Sequence, residues 1–318
     1  MNKATPIRSI TMLGLLAALS ALGAAAARAD AYTWTPTAAG TAYNWTDPAN
    51  WGGANYPGSA TGGTGGVGDA ASLTANLTGA QTISLNGTVS IGSLTVGDSG
   101  GTLYGYTVAS GSSGTLAFQS GATVANTAGS NTFSAPLSIA DTLGINVASG
   151  STLTVSGSIA SSGGVATTIT KTGAGTLALS GYGGSLVMNA GGVTANGVLS
   201  YVTVNSGTTL TLSTNGHGGI VTVIGGTITS NYGYLDTRVV MAGGTFGGAA
   251  LYGSHNSFQF FNDGTGNPTT STVSVGMSNG STQQVLVDQN ATALITGGWG
   301  GAGGITKDGA GTAVFSKA

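Results

Sequence analysis

One twelve-residue pattern constrains this chain more than any other feature. Ile169-Thr170-Lys171-Thr172-Gly173-Ala174-Gly175-Thr176-Leu177-Ala178-Leu179-Ser180 returns as Ile305-Thr306-Lys307-Asp308-Gly309-Ala310-Gly311-Thr312-Ala313-Val314-Phe315-Ser316, with eight of the twelve positions identical. Each copy reads as strand, tight turn, strand. The Gly-Ala-Gly turn permits backbone angles that residues with a Cβ resist. After it, Leu177 and Leu179 alternate with Thr176, Ala178 and Ser180, the period of two that sends one side of a strand inward. In the second copy Ala313 and Phe315 take the inward places. A unit this short cannot bury its apolar side alone. It needs a similar unit stacked on it, and that requirement defines a solenoid.

The rest of the chain repeats the theme in weaker form. Short alternating runs recur from Ala80 onward, among them Thr82-Ile83-Ser84-Leu85, Ser93-Leu94-Thr95-Val96, Thr115-Leu116-Ala117-Phe118, Thr152-Leu153-Thr154-Val155, Thr209-Leu210-Thr211-Leu212 and Thr272-Val273-Ser274-Val275. Gly, Asn or Ser bounds most of them, and their outward residues are mainly Thr and Ser. Two or three runs make one turn. That predicts rungs of roughly 20 to 25 residues, on the order of a dozen of them, in a rod about 55 to 60 Å long. The expected fold is all-β, a right-handed parallel β-helix over residues 80–318, with an antiparallel sandwich or meander as the alternative.

The motif Ile-Thr-Lys-x-Gly-x-Gly-Thr-x-x-x-Ser resembles the passenger-associated repeat of autotransporters, also called the autotransporter-associated β-strand repeat. The resemblance implies an exported chain whose passenger is a right-handed parallel β-helix at the cell surface. Its two copies carry Lys171, Gly173, Gly175, Lys307, Gly309 and Gly311. They cover about a tenth of the chain and contain no catalytic group. In that family a membrane barrel or another anchor usually follows the passenger; none is seen between Ser316 and Ala318.

Composition fits this picture. There are 59 Gly in 318 residues, charged residues are 5%, and 40% are hydrophobic, too many for a disordered Gly-rich chain. Cys is absent, which removes disulfides and thiolate metal sites. Residues 1–29 read as a signal peptide: Lys3 and Arg8, then an apolar run from Ile10 to Leu22, then Ala27-Arg28-Ala29 before Asp30. Beyond it four cations, Lys171, Arg238, Lys307 and Lys317, face nine Asp, a formal charge of −5 and no footprint for nucleic acid. The expected location is therefore outside the cell or on its surface. Expected partners are the export machinery, surface glycans, host or neighbouring-cell surfaces, or a second copy.

Residues 30–79 form an aromatic entry segment and a Gly/Thr-rich loop. Trp34, Trp45 and Trp51 lie here, and Asn44-Trp45 recurs as Asn50-Trp51. The structural reading is a cap over the first rung. The functional reading makes Trp45 and Trp51 a stacking surface for sugars. Gly63 to Gly68 and Gly298 to Gly303 match the dinucleotide fingerprint by letter only, because no helix-period segment follows either.

Gly97-Asp98-Ser99-Gly100-Gly101 imitates the nucleophile stretch of trypsin-like proteases. Both histidines, His217 and His255, lie downstream of Ser99, the wrong order for that chemistry. Asp236 and Arg238 are the one close Asp/Arg pair beyond the signal. They are a weak ligand-binding pair, and the place where a rival polysaccharide-binding or polysaccharide-degrading reading would rest. Asp263-Gly264-Thr265-Gly266-Asn267 lacks the acids of a calcium loop and reads as an Asx turn. Phe258 and Phe260 share a strand side and are expected in the core. Lys171 and Lys307 are read as turn-edge residues whose amines reach water. Runs such as Thr152-x-Thr154 and Thr209-x-Thr211 suggest an ice-binding face, but irregular spacing argues against their alignment. No metal, cofactor or catalytic residue is expected, and the predicted role is structural or adhesive.

Overall fold

Strands of two to twelve residues, separated by turns of Gly, Ser, Thr and Asn, make up almost all of the described residues. The computed structural model describes residues 29–40, 42–59, 68–164, 166–213, 219–231, 238–249, 251–252, 258–264, 267–278, 282–300 and 303–316. Residues 1–28 of the expected signal peptide, residues 63–67 of the first fingerprint-like stretch, Asp236, His217 and His255 lie outside these.

The chain visits two sheets in turn. Ala31–Thr33 opens the first and Ala42–Asn44 the second; Ala70–Leu73 then returns to the first and Gln81–Leu85 to the second. Each new strand pairs with its predecessor in parallel, Ala31 with Ala70 and Tyr43 with Ile83. The alternation continues to Ile305–Asp308 and Thr312–Phe315. The second sheet has 13 strands, one per rung, so the axis runs about 58 Å at ~4.8 Å per step. This is a parallel β-helix, and the antiparallel alternative falls. The stack also reaches back to Ala31. The entry segment is the first rung rather than a separate cap beneath it.

Inward residues form continuous files. In the second sheet Leu153, Leu177, Val193, Leu210, Ile228 and Phe246 stack one above another, all buried. Each contributes roughly 1.5–3 kcal/mol by leaving water. Phe258 and Phe260 are both buried as expected, with ring centroids 6.1 Å apart and nearly parallel.

Rung length varies more widely than the sequence suggested. Thr170 pairs with Val187 and Val187 with Thr203, advances of 17 and 16 residues, whereas Ser93 pairs with Thr123, an advance of 30. The surplus departs from the main path of stacked strands. Part of it builds short side strands, Leu137–Ile139 and Ile159–Ser161, stacked on the start of Thr115–Asn126. Nearer the C-terminus, strands 251–252, 277–278 and 299–300 form a third small sheet.

This accommodation overturns one expectation. The Thr pairs do align. On the outer face of the second sheet Thr132, Thr154, Thr194, Thr211 and Thr229 occupy one file, broken by Ala178. Thr152, Thr176, Thr209, Thr227 and Thr245 occupy the next, broken by Gly192. Irregular spacing along the chain is taken up in the loops, while hydrogen bonding keeps the register of the strands.

Candidate functional site

The repeated motif is a device for laying one turn on another. Gly173 has φ +74, and a Cβ there would sit 2.3 Å from the Val147 carbonyl oxygen; Gly309 has φ +84, with 2.2 Å to the Val287 oxygen. Gly175 and Gly311 each donate an N–H to that same carbonyl at 2.9 Å. The rung beneath each motif carries a matching turn. Ser151 donates to Ala148 in one and Ala291 to Asp288 in the other, with Gly150 at φ +75 and Asn290 at φ +65. Asn290 is the one described non-Gly residue with positive φ, and Asn tolerates that region better than other side chains.

Lys171 corrects the sequence reading. It is not a turn-edge lysine with its amine in water. It stands in an inward file between Ile145 and Met188 and is 0% exposed. Its Nζ donates to the carbonyls of Thr172 at 2.8 Å, Gly173 at 2.7 Å and Ala190 at 3.1 Å. Burial pulls its pKa down to about 8. Lys307 occupies the same motif place but is exposed, and donates to the Gly309 carbonyl. The difference is the rung that supplies Ala190 above Lys171; Lys307 lies in the last described rung.

Trp45 and Trp51 also require correction as sugar platforms. They are 0% and 4% exposed, so neither offers a ring face to a ligand. Trp51 stacks edge-on against Trp45 at 4.8 Å and Trp34 at 5.0 Å. Every indole N–H of the three is satisfied: Trp34 by Gln81 Oε1, Trp45 by the Pro57 carbonyl and Trp51 by the Trp45 carbonyl. The Asn of each Asn-Trp pair shapes the turn, as Asn44 accepts from Thr46 and Asn50 donates to the Asn44 carbonyl.

Arg238 is exposed on the first sheet and donates to Gln259 Oε1. Its sequence partner Asp236 lies outside the described residues. The acid that shares its surroundings is Asp308: both line a shallow recess of about 320 Å³ with Gln259, Gln284 and Leu286. Four successive rungs, rather than two residues of sequence, bring this acid and base to one face.

Asp98, inside the protease-like decoy, is a buried staple. Its Oδ1 accepts from the N–H groups of Leu77 at 3.0 Å and Gly100 at 2.9 Å, and its Oδ2 from Tyr104 at 2.8 Å. Burial pushes its carboxyl up, yet the three donors together outweigh that and hold it below the ordinary aspartate range. At the calcium-like stretch, Gly264 donates to Asn262 Oδ1, an Asx turn begun one residue before Asp263. Asn126 and Asn131, buried and joined side chain to side chain at 2.6 Å, are a core amide pair that the sequence reading did not single out. The inward parity of Asn126 with Val124 was the available signal.

No family model, curated protein or solved structure matches this chain. The geometry defines its class: a parallel β-helix whose polar interior groups serve turn stacking, and whose outer faces are weakly charged and rich in hydroxyls.

Proposed function

We propose that this chain is an exported, non-catalytic β-helix, structural or adhesive at the cell surface, related to autotransporter passengers. The observation that carries this reading is the repeated Gly-Ala-Gly motif lying on matching turns at two levels of one continuous stack. Thirteen rungs bury one axial core and leave long faces of Thr, Ser and Asn outward. Such a rod presents contact area along its length, which suits adhesion or spacing. Glycans, neighbouring cells and further copies of the chain are the partners this reading favours. The charged signal-like start supports export.

Fractionation of the native cells, followed by a blot for this chain, tests the proposal. Protein in the outer membrane or the medium is the expected result. Retention in the cytoplasm would overturn export and, with it, the surface role.

The recess holding Arg238 and Asp308 favours a second reading, a polysaccharide contact on the first sheet. Loss of polysaccharide binding or turnover in Arg238→Ala, with the fold intact, would promote it.

A further inference from the structure

We infer that the outer face of the second sheet is a binding surface for the periodic face of a crystalline solid, and that the solid is ice. The inference rests on the two aligned threonine files and not on where the protein resides. Neighbouring files are two residues apart along each strand, about 6.6 Å, and neighbouring rungs about 4.8 Å. The result is a net of hydroxyl and methyl groups over seven successive rungs, from Thr132 to Thr245, interrupted at Ala178 and Gly192. These repeats lie near those at which water oxygens recur on the growing faces of ice.

Three further properties fit that ligand. The pairing between these strands runs without a register shift, whereas the first sheet breaks register at Ile91/Ser93 and Tyr182/Ser185. None of the ten hydroxyls takes part in a hydrogen bond with the described residues, so all are available to lattice water. Threonine is β-branched and stiff at χ1, so the net is ordered before binding and little side-chain freedom remains to be lost. The face also carries no charge and no aromatic platform within the net. Anionic ligands therefore gain nothing here, and soluble glycans lack the two-dimensional repeat that the net matches. The first sheet makes the contrast internal: Thr203 and Thr222 there are flanked by Val187 and Val240 in the same file.

Nanolitre osmometry on the purified protein tests the inference. The expected result is a thermal-hysteresis gap with faceted ice crystals. Thr211→Lys, at the centre of the net, should reduce the gap to that of buffer. Thr203→Lys, equally outward but on the other sheet, should leave it unchanged, and matched melting temperatures establish that both variants fold. Crystals of wild-type solutions that grow as in buffer would overturn the inference. So would equal loss in the two variants.

Discussion

The Lys171 ammonium reaches the Ala190 carbonyl oxygen at 3.1 Å, joining one rung to the next through the interior. A cation therefore occupies a place that Ile145 and Met188 fill in the adjacent rungs. Burial lowers its folded pKa to about 8 from the ordinary 10.5. Between those values the unfolded chain binds more protons than the folded one, so stability rises as pH rises from about 8 to 10.5. The upper bound is about 3 kcal/mol. Lys171→Met should abolish that rise, which denaturant melts of both proteins across this pH range would reveal. Equal pH dependence in the two would refute the assignment. Lys171→Ala also opens a cavity and should cost about 2–5 kcal/mol at pH 7.

Gly173→Ala should be costly, because the new methyl meets the Val147 carbonyl within 2.3 Å in addition to the strain of φ +74. We expect a loss of roughly 2–4 kcal/mol. Gly150→Ala shares the positive φ but meets nothing within 4 Å. Its loss should stay near 1 kcal/mol, the left-handed penalty alone. Comparable losses in paired urea melts would show that stacking of the turns is not what the motif glycines secure.

Asp98→Ala would strand three backbone N–H groups, two of them on residues 77 and 104 in separate loops. A cost of about 2–4 kcal/mol follows. Because the folded carboxyl titrates below its ordinary value, its contribution is complete above the unfolded pKa and fades as pH falls through the folded one. Acid unfolding should accordingly begin at a higher pH in wild type than the loss of signal in Asp98→Asn predicts from a constant offset: the gap between the two proteins narrows toward low pH.

Trp51→Ala removes the ring that touches both other indoles and leaves the Trp45 carbonyl without its donor. Differential scanning calorimetry should register a loss of about 3–5 kcal/mol. A neutral outcome would mean that the first rung unfolds independently of the stack.

Much of this architecture is written in local pattern, and some is written only in pairing. Period-two runs such as Thr152–Val155 and the Gly-Ala-Gly turns announce parallel rungs because strand parity and turn chemistry act over a few residues. Lys171 was legible in principle. It has the parity of Ile169 and so points inward, but its charge argued for water and the acceptors that make burial tolerable lie partly in another rung. The Asp98 staple joins residues 21 positions apart. The Thr net depends on which strands become neighbours, and rungs of 16 to 40 residues conceal that in a linear reading. The Arg238 and Asp308 recess was hidden for the same reason.

Because loops and side strands take up differences in rung length while the two sheets keep step, axial position in this molecule is counted in strands and not in residues. An insertion in a turn would add an ornament to the flank without displacing anything above it. Lineages of such chains are thus free to rewrite their outline, rung by rung, while conserving a fixed metre along the axis on which a repeating surface can be inscribed.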